Sequence, residues 1–187
     1  MKLARTELPG VVLLEPAVAS DTRGSFMETY RAERYRVLGL ADLGAQDNLS
    51  HSRRGVLRGL HLQNPHAQAK LCQVLIGEVY DVVVDVRRGS PAFGRWQGFQ
   101  LSAERVQQLY VPEGLAHGFC VVSEEALFSY KCSDRYEPSA ELVLRWDDPD
   151  LAIDWPVAEP LLSPRDAAGA LLRELPPERL PVYSGSS

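Results

Sequence analysis

The sequence predicts an all-β fold, a jelly-roll sandwich or barrel with a few short peripheral helices, on three observations. Short apolar, β-branched runs recur from Val56 to Trp146, spaced as strands rather than helices. Almost no 3.6-residue periodicity separates them. Breaks such as Gly77, Arg88-Gly89-Ser90-Pro91 and Pro112-Glu113-Gly114 fall where a meandering chain must reverse. Many evenly spaced strands joined this way close into an antiparallel jelly roll. No repeat or linker divides the chain, so residues 1–187 are expected to form one domain, long enough to bury a core without disulfide or metal staples.

Taken in order, Val11–Val18 is β-rich but broken by Pro16, which suits a first or edge strand. Asp21-Thr22-Arg23-Gly24 reads as a turn, and Ser25–Tyr30 alternates as a strand does. Ala32–Leu38, closed by Gly39, reads as one short helix. Gln46–Ser50 is polar, an irregular strand or loop. Strands then follow at Val56–Gln63, Leu71–Ile76, Glu78–Val86, Phe93–Leu101, Gln108–Val111, Gly118–Val122, Ala126–Cys132 and Glu141–Trp146, with Gly77 as a hairpin turn. Ser163, Pro164 and Asp166 mark a helix start running through Ala167–Leu175. The tail from about Pro176, ending Ser-Gly-Ser-Ser, reads as extended and partly disordered.

The bulk properties narrow the function classes. A net charge of −5 argues against a general nucleic-acid binder, leaving room for a local cationic patch. Cys72, Cys120 and Cys132 lie in apolar runs without metal spacing, as buried thiols of a cytoplasmic protein do. No apolar run is long enough to span a bilayer, so no membrane partner is expected. Trp96, Trp146 and Trp155 read as core or interface anchors.

Ser52–Lys70 concentrates three arginines, two histidines and a lysine between Gly and Pro punctuation. Cations and imidazoles on a rigid β framework suit an anionic substrate and proton transfer. His61 lies in Arg-Gly-Leu-His-Leu-Gln and His117 follows Pro-Glu-Gly. A jelly-roll metal site would place a second histidine at Gln63, a poor ligand, with Lys70 nearby to repel a cation, so no metal is expected. Tyr130 shares a strand face with Phe128 and reads either as a core-edge tyrosine or as a proton donor to His61's base. Strict alternation puts Arg58 and His61 on opposite strand faces unless Gly59 introduces a bulge or one residue serves a neighbouring subunit. His51 and His66 are assigned to solvated loops without a role.

Asp-Thr-Arg-Gly-Ser-Phe at 21–26, Gln-Asp-Asn at 46–48, Gly-Val-Leu-Arg-Gly-Leu-His-Leu-Gln at 55–63, Ser-Pro-Ala-Phe-Gly-Arg-Trp at 90–96, Val-Pro-Glu-Gly-Leu-Ala-His-Gly-Phe at 111–119, Tyr-Lys at 130–131 and Trp-Asp-Asp-Pro at 146–149 occur in one order. Together they resemble the dTDP-4-dehydrorhamnose 3,5-epimerase family. The resemblance implies a cupin-fold homodimer, without metal or nicotinamide cofactor, inverting C3 and C5 of dTDP-4-dehydro-6-deoxy-D-glucose. It implies His61 as base, Tyr130 as acid, Asp166 paired with His61, and Lys70 near the C4 oxygen. Arg23, Glu28, Gln46, Asp47, Asn48, Arg58, Lys70, His117 and Glu141 match its substrate-binding positions. Arg165 stands where the family more often has lysine, keeping the charge but changing the hydrogen-bonding head.

The residues alone leave alternatives. Asp166 is also explained as a capping acid at a helix start. A relative inverting one carbon would use the same base and acid, and a non-catalytic cupin would bind the sugar nucleotide without them. The simultaneous presence of His61, Tyr130, Lys70 and Asp166 argues against the binding module.

Overall fold

The computed structural model describes residues 1–185, apart from the side chain of Arg5; Ser186 and Ser187 of the expected disordered tail lie outside them. The strands are β1 (Lys2–Arg5), β2 (Val12–Glu15), β3 (Val18–Asp21), β4 (Gly24–Met27), β5 (Gln46–Arg53), β6 (Leu57–Gln63), β7 (Lys70–Ile76), β8 (Glu78–Asp85), β9 (Trp96–Ser102), β10 (Gln108–Val111), β11 (Leu115–Val121), β12 (Glu125–Cys132) and β13 (Glu141–Val143). The α-helices are α1 (Ala32–Val37) and α2 (Pro164–Ala167).

A six-stranded antiparallel sheet, in the order β1-β2-β10-β7-β12-β5, faces a five-stranded one, β13-β6-β11-β8-β9, while β3 and β4 form a separate ribbon. This is the expected jelly-roll sandwich. Apolar side chains from both sheets, including Val74, Leu109 and Phe128 on one side and Val83, Leu101 and Phe119 on the other, fill the core between them. A second cluster covers the outer face of the five-stranded sheet: Leu60, Leu62, Val82 and Val84 pack under Trp155, Leu172, Leu175 and Leu180. That double cover explains why β8 reads as a near-continuous apolar run. A third cluster seats Tyr35 of α1 on Leu14, Leu71 and Tyr110.

Several boundaries differ from the sequence reading, each for a tertiary reason. Pro16 splits the first run into β2 and β3, and Gln46–Ser50 belongs to a regular strand, β5, which also takes in His51. His51 is therefore a strand residue, its Nε2 2.7 Å from Glu125 across the β5–β12 pair. Residues 90–94 form a turn rather than the start of a strand, so β9 begins only at Trp96. The helix expected through Leu175 stops after Ala167, and Leu172–Glu174 is a separate 3-10 turn. Between them the chain joins a neighbouring strand, Ala170 N–H donating to Val143 O and Arg145 N–H to Ala170 O. A Cβ on Gly169 would lie 2.8 Å from Arg145 N, so this crossing requires glycine. The tail beyond Pro176 is packed rather than loose: Leu180 is buried, and Arg88 N–H donates to Pro181 O.

One irregularity positions the site. His117 pairs with His61 and Phe119 with Arg58, so two residues of β6, Gly59 and Leu60, oppose the single Gly118 of β11. This is the bulge that alternation required, and the extra residue returns Arg58 and His61 to one face. The strands touch at paired glycines: Gly59 has φ +128°, and a Cβ there would come 2.5 Å from Gly118 Cα. Gly59→Ala is expected to cost roughly 2–5 kcal/mol, the sum of left-handed strain and overpacking against backbone. Urea unfolding measures this; a loss below about 0.5 kcal/mol would show that the strands separate without penalty.

Candidate active site

A cavity of about 380 Å³ opens between the two sheets. The six-stranded sheet contributes Gln46, Asn48 and Ser50 of β5, Lys70 of β7, and Phe128 and Tyr130 of β12; the other contributes Arg58, His61 and Gln63 of β6, His117 of β11 and Glu141 of β13. Ser163, Arg165 and Asp166 close it from α2 and the residue preceding it.

His61 is the most developed group. Its Nε2 lies 2.6 Å from Asp166 Oδ1, across 105 residues of chain. Asp166 is 3% exposed. It is placed by the helix start: Pro164 occupies the first turn, and Ser163 Oγ accepts the Asp166 N–H at 3.1 Å. Capping and pairing are thus both real, and the cap fixes the backbone from which the carboxylate reaches His61. Burial pushes the Asp166 carboxyl upward, but the hydrogen bonds from His61 and Ser163 outweigh it and hold the group below its ordinary range. An ionised Asp166 takes the Nε2–H, which leaves Nδ1 of His61 as the lone-pair nitrogen.

On the facing wall, Tyr130 is enclosed beside Phe128, their ring centroids 6.1 Å apart. Burial pushes its phenol up to about 12, so the hydroxyl keeps its proton throughout the neutral range. Lys70 is 8% exposed, and among the described residues its ammonium makes no hydrogen bond or ion pair. Burial lowers its pKa against the pull of Cys132, Cys72, Asp81 and Glu141.

His117, Asp81 and Cys72 form a buried group behind the cavity. His117 Nε2 lies 2.9 Å from both Asp81 carboxylate oxygens and 3.9 Å from Cys72 Sγ. These three donors fall within 4.8 Å of one another. His117 Nε2 is already engaged by Asp81, the Cys72 thiol is pushed well above its ordinary range by burial, and Lys70 stands beside them. That chemistry describes a hydrogen-bonded support more closely than a ready cation site.

At the outer end, Arg165 Nη1 donates to Glu141 Oε2 at 2.9 Å and to the Tyr136 hydroxyl at 3.1 Å. Gln46 Oε1 accepts the Tyr136 N–H. Arg58 Nε donates to Ser52 Oγ at 3.0 Å. The cavity therefore gathers His61, Tyr130, Asp166, Lys70, Gln46, Asn48, Arg58, His117, Glu141 and Arg165. Arg23, Glu28 and Asp47 stand apart from it: Arg23 pairs with Asp21 on the ribbon, Glu28 with Arg34, and Asp47 with Lys131.

Sequence reasoning missed Ser50, Tyr136 and Asp81. Asp81 carried a signal, a lone acid inside Glu-Val-Tyr-Asp-Val-Val-Val, since an acid at the centre of a buried strand needs a partner. Ser50 and Tyr136 sit in ordinary polar stretches and carried none.

A jelly roll with a carboxylate-backed histidine facing a buried, protonated phenol defines an acid–base site of the cupin kind. The sequence profile of the dTDP-4-dehydrorhamnose 3,5-epimerase family matches residues 5–174, and the chain belongs to that family. A dTDP-4-dehydrorhamnose 3,5-epimerase of Neisseria gonorrhoeae is 52% identical over 171 residues, 90% of this chain; the chain spans 52% of that relative's length. The Shigella flexneri enzyme of the same name is 48% identical over 171 residues, 90% of this chain and 94% of its own. A crystal structure of the 3,5-epimerase of Legionella pneumophila Philadelphia 1, in complex with dTDP-4-keto-L-rhamnose, superposes with a TM-score of 0.95 at 47% identity, covering 98% of this chain and 99% of that one. A Streptomyces niveus relative, 43% identical over 93% of this chain and 85% of its own, is a dTDP-4-dehydrorhamnose 3-epimerase.

The pKa direction of Lys70 fixes a stability signature. Its folded pKa lies below the unfolded value of about 10.4, so between the two the unfolded chain binds the extra proton and stability rises with pH. The penalty is fully present below the folded pKa and gone above the unfolded one. Lys70→Met should raise the neutral-pH melting temperature by about 2–4 °C and flatten the rise in stability toward pH 10 relative to the parent. Thermal melts across that range decide it; a variant that melts lower at neutral pH would show that the ammonium has a stabilising partner.

Proposed function

We infer that this chain converts dTDP-4-dehydro-6-deoxy-D-glucose to dTDP-4-dehydro-L-rhamnose by inverting C3 and C5, acting as one domain over residues 1–187. The observation that carries this reading is the His61–Asp166 pair on one wall of the cavity with Tyr130 on the other, in a chain of the 3,5-epimerase family. Inversion beside a ketone requires a base on one face of the ring and an acid on the other. In this reading Nδ1 of His61 takes the proton from the carbon next to C4, and the electron pair moves onto the C4 oxygen as an enolate. The Lys70 ammonium faces that negative charge in a water-poor setting, where one fixed charge is worth several kcal/mol. Tyr130 delivers its proton to the opposite face, and both side chains regain their starting protonation through solvent. A second round at the other carbon completes the double inversion. Arg58, Arg165, Gln46, Asn48, His117 and Glu141 hold the sugar nucleotide. No cofactor or metal enters this chemistry.

The Streptomyces niveus 3-epimerase supports a second reading, inversion at one carbon only. NMR of the substrate incubated in deuterated water separates the two: deuterium at C3 and C5 supports the double epimerase, entry at one carbon the single one, and none removes the enzyme reading for this substrate. His61→Asn should abolish exchange and turnover, by about 10²–10⁴-fold. Tyr130→Phe should lose inversion by a similar factor while keeping exchange with retention, because the base still returns a solvent-derived proton to the face it came from. Loss of exchange as well as inversion in Tyr130→Phe would displace Tyr130 from the acid's role.

We further propose a homodimer whose ribbons complete each other's sites. Arg23 and Glu28 match substrate-binding positions yet lie away from their own chain's cavity, and Phe26 on the same ribbon is 76% exposed. Leu49, Leu75 and Ile76 leave an exposed apolar area on the six-stranded sheet, which suits an interface. Sedimentation should give twice the 20.8 kDa chain mass, and Arg23→Ala should lower kcat/KM about tenfold or more with the dimer intact. A fully active monomer would overturn it. The three buried, unpaired thiols suit a reducing compartment, which we take to be the cytoplasm. Among the described residues no helix is long and apolar enough to cross a membrane.

A further inference from the structure

Strand β5 presents one polar face to the cavity, since Gln46, Asn48, Ser50 and Ser52 alternate inward while the residues between them are exposed. Three of these four are tied. Gln46 Nε2 donates to Asn48 Oδ1 at 2.8 Å, Asn48 Nδ2 donates to Cys132 Sγ at 3.6 Å, and Ser52 Oγ accepts from Arg58 Nε at 3.0 Å. Ser50 differs. Its Oγ is closed off from bulk solvent and has no hydrogen-bond partner among the described residues, although the residue lines the cavity.

A buried hydroxyl is almost always partnered in a folded protein, and an unpartnered one destabilises the fold. The chemistry around Ser50 says what the partner is. Two residues along the same face, Ser52 holds the Arg58 guanidinium by Nε alone, so a hydroxyl donor and a cationic fork share one end of the cavity. A donor beside a guanidinium fits an anionic oxygen, and the proposed substrate carries such oxygens on its diphosphate. Asn48, on the other side of Ser50, pairs across the sheet with Tyr130, so a group held at Ser50 lies one strand step from the acid.

We propose that Ser50 is a substrate-contact residue whose hydroxyl donates to a diphosphate oxygen beside Arg58. This rests on the sugar-nucleotide reading above. The Ser50 hydroxyl finds no partner among the described residues, so its truncation should have opposite effects on binding and on folding.

Ser50→Ala and Ser50→Thr test this, with wild-type turnover and dTDP affinity measured first. Ser50→Ala should weaken dTDP binding and raise KM by about 5- to 10-fold, with kcat little changed, as loss of one ground-state hydrogen bond does. Its melting temperature should equal or exceed the parent's, because an unpaired buried hydroxyl has been removed. Ser50→Thr, which keeps the hydroxyl, should recover most of the affinity. A Ser50→Ala protein whose dTDP affinity and KM stay within twofold of the parent overturns the proposal, whatever its stability. If the wild type binds dTDP but turns over no substrate, the epimerase reading falls while the affinity comparison still decides Ser50. If the wild type does not bind dTDP, both fall.

Discussion

The site depends on two strands meeting without side chains. Gly59 and Gly118 let β6 and β11 approach until a Cβ on either would intrude on backbone, 2.5 Å from Gly118 Cα in one direction and 2.7 Å from Arg58 O in the other. That contact accommodates the extra residue of the bulge, which turns Arg58 and His61 to one side of a strand that would otherwise divide them. A base facing the core and an arginine facing solvent would make no site. The same strand pairing sets His117 opposite His61, so the supporting pair behind the cavity and the reactive pair at its wall share one register.

Two histidine–carboxylate pairs therefore sit side by side, and their surroundings separate their roles. The His117 side chain is 7% exposed and its Asp81 partner fully buried, with Phe128 stacked 6.4 Å from the imidazole. The His61 side chain is 25% exposed over an Asp166 carboxylate that is itself 4% exposed. A base needs that combination: a fixed orienting charge behind it and an open face from which the proton can leave. Burial encloses His117 beside Lys70, and partial exposure leaves the His61 imidazole open to the cavity, as the proposed base requires.

Legibility in the sequence followed from how strongly each face was patterned. From Val56 to Cys132 most strands were readable because one or both faces are buried in apolar layers. Strand β5 was not: its inner face is polar, with Gln46, Asn48 and Ser50 lining the cavity and Ser52 following on the same side, while its outer face meets solvent, so neither face carries an apolar signal. A strand that lines the cavity was hidden by doing so. The C-terminal helix was overextended because nothing local announces that Ala170 will pair beside Leu144. Among site residues, His61, Lys70, Tyr130 and Asp166 were legible through ordered motifs, and Gly59 through a conflict in strand parity that only a bulge or a neighbouring subunit could resolve. Arg23, Glu28 and Asp47 were legible as matches to family positions, but the fold sets them apart from the cavity, in ion pairs with Asp21, Arg34 and Lys131, which local pattern does not encode.

Where polar groups are left unsatisfied is itself informative. Among the described residues other buried polar side chains are engaged: Gln108 donates to Thr29 O and Gln73 and accepts from Tyr35, Asp148 takes the N–H groups of Asp150 and Leu172, and at the cavity wall Gln63 bridges three backbone groups. Glu28 Oε1, outside the cavity, sits 2.8 Å from the Arg34 guanidinium. Among the described residues the buried side-chain atoms without a hydrogen-bond partner are Glu28 Oε1 and Ser50 Oγ; the second faces the cavity, where the Lys70 ammonium also makes no hydrogen bond or ion pair. A fold this consistent elsewhere tolerates such penalties where a ligand removes them. In the proposed reading Lys70 would face the developing enolate and Ser50 a diphosphate oxygen. On that reading, part of the binding energy would come from completing interactions the fold itself leaves open.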